Sequence, residues 1–234
     1  MKEKLIKGRY LTFSYPVPKL TYALGDFLTQ PKNSLTIEQS SKEKLNVPMW
    51  DSKAQDFARD DEDKKKLIQQ RQRVSGVVAG ENAEKEHRNF QWLRYYGGAI
   101  NQVAFDNLDV LSGDFSGCWM MEYRKDGVLY VGHVGTIDDP NKPHSVAAKK
   151  AWNDFALAHA GDILRGFSPA RAWSEADSKP SKIHGDGLPR IWGLVTKSEL
   201  ISVYLFRGEA DWNRYRIADW KVVDPAYMPA LATI

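Results

Sequence analysis

The chain has 234 residues, 42% hydrophobic and 27% charged, with a formal net charge of +3. That length fits one large domain or two small ones, and that balance excludes a wholly disordered, collagen-like or membrane-bundle chain. The 33 basic residues are mixed with 30 acidic ones, too even a balance to imply nucleic-acid binding, and no apolar run approaches the ~18 residues of a spanning helix.

In chain order, the N-terminal MKEKLIKGRYLTFSYPVPK carries positive charge but no apolar stretch, which predicts no Sec-type leader. One cysteine allows no internal disulfide, so the chain suits a reducing cytosol at its origin or its destination. Short apolar runs at 10–13 and 20–28, interrupted by Pro16, Pro18, Pro31 and Pro48, read as irregular structure with short strands. Asp60-Asp61-Glu62-Asp63 precedes Lys64-Lys65-Lys66. Acids before bases suit the dipole of a solvated helix, which is preferred here over an anion-binding or targeting patch. Phe90, Leu93 and Tyr96 share one face of a helix predicted over 82–96 and ended by Gly97-Gly98.

Beyond Asn101 the apolar period becomes two. Segments 115–123 and 128–134 read as a hairpin closed by Asp126-Gly127. An amphipathic helix follows over 145–160, with Ala148, Trp152 and Phe155 on its inner side and Gly161 as its stop. Residues 162–187 read as loop. Then 189–196, 200–207 and 215–223 read as an antiparallel meander whose first turn is Lys197-Ser198-Glu199. This pattern is α+β: an antiparallel β-sheet or β-sandwich core flanked by helices. The expected domains are an N-terminal extension over 1–75, packed on the main domain, and a catalytic domain over 76–234.

Chemistry concentrates in Leu111-Ser112-Gly113-Asp114-Phe115-Ser116-Gly117-Cys118 and onward through the hairpin to His133. With Asp126-Gly127 as a two-residue loop, Lys125 pairs with Val128 and Cys118 with Gly135. His133 then lies opposite Met120, diagonal to Cys118 on the same face. With Lys125-Asp126 as the loop, Cys118 and His133 become direct partners. Either loop sets thiol and imidazole on one face with Cβ atoms about 4.5–8 Å apart, whereas a three-residue loop would break that parity. An imidazole so placed takes the thiol proton and the thiolate attacks a carbonyl carbon, which predicts Sγ within about 4 Å of a ring nitrogen.

Ser116-Gly117 lets the backbone turn, so that the amides of Gly117 and Cys118 point at a developing oxyanion. Ser112, Asp114, Asp138, Asp139 or a backbone carbonyl would orient the imidazole. Trp119 and Asp138 are the candidate substrate contacts. The bland alternative makes Cys118 a small buried hydrophobe and His133 a satisfied core histidine. His87, His144, His159 and His184 are scattered and give no zinc spacing. Gly97-Gly98 and Gly185-Asp186-Gly187 match no phosphate-cradling fingerprint. No metal and no organic cofactor are expected.

Phe115-Ser116-Gly117-Cys118, a strand after it and His133 fifteen residues on resemble the catalytic core of the cytotoxic necrotizing factor-type glutamine deamidases. That group takes in a Burkholderia lethal-factor-type toxin and the chemoreceptor glutamine deamidases, and the resemblance covers about residues 95–137. It implies a β-sandwich scaffold and hydrolysis of a glutamine side-chain amide in a protein target, or transamidation where an amine replaces water. Carried over, Cys118 is the nucleophile, His133 the base, and Ser112 stands where one branch uses a threonine hydroxyl and others use a backbone carbonyl. The chain departs from the group in Phe115 for the usual Leu and in bulky Trp119 after the nucleophile, which bears on the oxyanion arrangement.

Cysteine peptidases and cell-wall amidases place their His much further along the chain, so the short gap argues against them. The expectation is a bacterial effector or toxin, a virulence hydrolase secreted without a Sec signal and acting as a monomer in a target cell's cytosol. Its partner is a protein carrying the target glutamine, with no nucleic acid and no membrane span. Two alternatives stay open. One is a non-catalytic binding module in which the eight Trp and the meander form an interface and Cys118 is core. The other is a cysteine hydrolase that encloses a small amide or peptide.

Overall fold

The computed structural model describes residues 1–7, 10–12, 20–40, 50–51, 56–57, 86–137, 139–173, 188–207 and 214–225. The expected charged helix around 60–66 lies outside them. The first strands are β1 (Tyr10–Thr12), β2 (Phe27–Thr29), β3 (Leu35–Ser40) and a two-residue ladder of β4 (Trp50–Asp51) with β5 (Asp56–Phe57). Next come β6 (Glu86–Leu93), β7 (Ile100–Ala104), β8 (Val110–Gly113), β9 (Trp119–Lys125) and β10 (Val128–Val134). The helix α1 (Pro143–Ala158) is followed by β11 (Ile163–Phe167), β12 (Leu188–Val195), β13 (Leu200–Arg207) and β14 (Arg214–Val223).

Two sheets carry the fold. Seven strands close a barrel in the order β1-β14-β13-β12-β8-β6-β3, and five form a sheet in the order β11-β9-β10-β7-β2. Residues before 41 thus supply strands to both sheets. The fold is α+β. Alternation along the strands stacks it in layers. On β6, β8 and β12, Trp92, Leu111 and Leu194 point into the barrel core, while Leu93, Val110 and Val195 point outward. The outward set packs on Met120, Val131 and Phe167 of the five-stranded sheet. That sheet's other face, with Trp119, Met121 and Tyr123, packs on Ala148 and Trp152 of α1.

The hairpin and the meander form as the period-two pattern predicts, with Leu188↔Arg207 and Leu200↔Val223 in register. The helix begins two residues earlier than expected, because Pro143 at its first turn is pre-set for helical φ, and a short 3-10 turn over Ala160–Asp162 replaces the glycine stop. Three expectations are corrected. The segment predicted as a helix over 82–96 is strand β6, paired with β3 on one side and β8 on the other. Phe90, Leu93 and Tyr96 satisfy a helical period, but Phe90, Gln91, Trp92 and Leu93 are all buried, as befits a strand covered on both faces. The supposed loop over 162–187 contains β11, whose Phe167 faces Met120. The sheets are mixed rather than antiparallel, because β6–β8 and β2–β7 run parallel. Among the described residues α1 is the one α-helix, and no helix is long and apolar enough to cross a membrane.

Candidate functional site

Asp126 and Gly127 take left-handed backbone, φ 52° and 77°, and close the hairpin with Lys125 facing Val128. His133 therefore faces Met120, and the ladder ends with Val134 opposite Trp119. One step beyond that end sets Cys118 against Gly135. The parity argument holds: Met120 and Cys118 both lie in the layer between barrel and sheet, the layer His133 enters.

There His133 meets β8 of the barrel. Ser112 Oγ lies 2.8 Å from His133 Nδ1 and donates its hydrogen to the carbonyl of Leu93 at 2.7 Å. A serine hydroxyl has one hydrogen. Since Leu93 takes it, Nδ1 must be the protonated nitrogen and Nε2 the one with a free lone pair. Leu93 and Ser112 are register partners of the parallel β6–β8 pair, so the acceptor is fixed by the ladder itself. Of the four side chains proposed to orient the imidazole, Ser112 does so. Asp114 instead accepts from Trp192 Nε1 at 2.9 Å and pairs with Arg190, and Asp139 accepts from the Asn141 amide at 2.9 Å. Asp138 lies outside the described residues.

The imidazole is fully buried. The Phe115 ring stacks on it with centroids 4.3 Å apart and 10° between planes, and Tyr95 lies 5.3 Å away. Loss of solvation pushes the His133 pKa from 6.5 down to about 3, so the ring is neutral at pH 7. Its Nε2 is buried and makes no hydrogen bond. A neutral imidazole with a clamped Nδ1–H and an open Nε2 is the tautomer a general base requires.

The expected thiol–imidazole hydrogen bond is not made, which corrects the sequence expectation. Cys118, 2% exposed, donates its S–H to the Thr136 carbonyl at 3.2 Å, and Thr136 Oγ1 donates to Sγ at 3.5 Å. The physical reason is the register. Cys118 sits just before β9, beyond the last ladder pair, where the Thr136 carbonyl past Gly135 is within reach of its S–H. Tyr95 Oη donates to the same Thr136 carbonyl at 2.8 Å. Thr136 and Tyr95 were not foreseen from the sequence; extending the Cys118↔Gly135 register by one residue would have pointed to Thr136.

Trp119 is also corrected as a substrate contact. It is 3% exposed, alternates to the α1 side of the sheet, and carries the Arg171 guanidinium 5.6 Å above its ring. Gly117 is half-buried beside exposed Ser116, and a Cβ there would meet only Thr136 Oγ1, at 3.8 Å. The backbone at Gly117 is therefore sterically open.

Gly135 is the opposite case. A Cβ on it would lie 2.0 Å from the Tyr96 carbonyl oxygen and 3.0 Å from that of Ala99. Its N–H donates to Ala99 and its carbonyl accepts from Gly98, so the strand end has no room to retreat. Gly135→Ala is expected to destabilise the fold by about 3 kcal/mol, the upper end for overpacking. A urea midpoint unchanged from wild type would show that this close approach is not needed. No protein-family model and no curated protein matches the chain.

Proposed function

We propose that the chain is a cysteine-dependent amidohydrolase that converts glutamine to glutamate in a protein target. The observation that carries this reading is the clamp on His133. Ser112, itself tied to Leu93, holds Nδ1–H, and the basic Nε2 is left buried and unbonded on the face of the hairpin that carries Cys118. The substrate class rests on the resemblance of Phe115-Ser116-Gly117-Cys118 and His133 to the glutamine deamidases.

In the mechanism, Cys118 turns from the Thr136 carbonyl to Nε2 and gives up its proton. The thiolate attacks the carboxamide carbon, and the oxyanion is held by the N–H groups of Gly117 and Cys118. Ammonia leaves with the proton from His133. Water then hydrolyses the thioester, with His133 as base again. The side chain enters past exposed Ser116 and half-buried Gly117. As an effector the protein would act in the cytosol of a recipient cell, where its one cysteine stays reduced.

One observation favours a second reading, a non-catalytic protein-binding module: the Cys118 thiol is buried within the layer between the sheets. Quantitative mass spectrometry separates the two. Extracts of candidate target cells treated with wild type should gain the Gln-to-Glu mass change at one or a few sites of a specific protein. Extracts treated with Cys118→Ser should not, because a hydroxyl is far less ionised than a thiol. Equal Glu content across several extracts would favour the binding module.

A further inference from the structure

The thiolate that the mechanism requires forms in a buried site beside a ring that turns cationic as it takes the proton, and a buried ion pair is costly unless its remaining contacts are satisfied. Something other than solvent must stabilise it. Thr136, 5% exposed, presents two groups to the same sulfur. Its carbonyl accepts the S–H hydrogen at 3.2 Å and its hydroxyl donates to Sγ at 3.5 Å.

Those two contacts act on opposite states. The carbonyl stabilises the thiol and repels the thiolate, because two acceptors then face each other. The hydroxyl does the reverse, since a donor binds an anionic sulfur more strongly than a neutral one. We propose that Thr136 is a catalytic residue of this site, holding Cys118 as a thiol through its carbonyl at rest and stabilising the thiolate through its hydroxyl once His133 has taken the proton. The assignment rests on the cysteine-hydrolase reading above and names a group that reading leaves open.

The step balances within these residues. The S–H bond breaks, its electron pair stays on sulfur, and the proton forms an N–H bond at His133 Nε2, which makes no hydrogen bond at rest. The Thr136 hydroxyl keeps its own proton throughout. Tyr95, donating to the carbonyl at 2.8 Å, holds the Thr136 peptide so that both groups stay aimed at Sγ. The helix fixes the next residue, for Ser145 Oγ accepts from the Ile137 amide at 3.0 Å and donates to its carbonyl at 3.2 Å.

The one cysteine makes the test direct, because ultraviolet absorbance of thiolate then reports Cys118 alone and needs no reagent to reach it. Each variant is titrated against the same protein carrying Cys118→Ser as a blank. Thr136→Val should move the midpoint of thiolate formation up by about one pH unit, the value of one hydrogen bond to a charged group. Glutamine conversion at neutral pH should fall about tenfold with it. Thr136→Ser and Thr136→Ala both lack the methyl and differ only in the hydroxyl. The serine variant should titrate like wild type and the alanine variant like the valine one, which decides the matter even where Thr136→Val does not fold. Val and Ala variants that titrate like wild type would overturn the assignment, as would a serine variant shifted as far as alanine. A shifted midpoint with no glutamine conversion by wild type would leave Thr136 assigned and overturn the deamidase reading instead.

Discussion

His133→Asn should lower the rate of glutamine conversion by about 10²–10⁴-fold, the usual contribution of a positioned general base. Asparagine is chosen because its amide N–H group lies near the position of Nδ1 and can still donate to Ser112 Oγ, so the clamp to Leu93 persists. What it lacks is a lone pair where Nε2 stood. The thiol would still donate to the Thr136 carbonyl, which accepts its hydrogen bond but cannot take the proton. Combining the variant with Cys118→Ser should add little to the loss, because members of a catalytic pair act as a unit. Ser112→Ala should lose less, since the base remains but its tautomer is no longer dictated. Conversion by His133→Asn within a few-fold of wild type would remove His133 from the mechanism.

The hairpin that carries the pair was legible because a local signal fixes it. Asp126-Gly127 favours left-handed backbone, the two-residue loop sets the register, and the register sets which face each side chain takes. The meander was legible from its period-two pattern, as where Trp192 and Leu194 of β12 enter the barrel core and Ile191 and Val195 the outer layer. By contrast, 86–93 reads as either helix or strand, and the choice is made by β3 and β8, which flank it. The Ser112–His133 contact was one of several candidates because it joins β8 of the barrel to β10 of the other sheet. No spacing along the chain reveals how two sheets stack. The turn of the thiol to Thr136 could be read only by carrying the register past the ladder's end, where pairing stops at Val134 opposite Trp119.

The burial that makes His133 a neutral base also predicts how the fold responds to acid. In the unfolded chain this ring protonates near pH 6.5, while in the folded state desolvation holds its pKa down at about 3. Between those values the unfolded state binds a proton that the folded state does not. Stability must therefore rise with pH through that window and fall as the solution is acidified, by up to about 1.4 kcal/mol per pH unit. The contribution is fully present above pH 6.5, and below about pH 3 the slope vanishes because both states carry the proton. Ordinary carboxylates titrate mainly below about pH 5, so the decline between pH 6 and pH 5 isolates the histidine. The other histidines are present in both proteins, so the difference between wild type and variant reports His133. Urea unfolding of wild type across this range should show the decline. His133→Asn, though less stable at pH 7 for want of the ring that packs on Phe115, should show a shallower one. Equal slopes would mean that His133 is solvated in the folded protein. The neutral, clamped base required by the mechanism would then be lost with it.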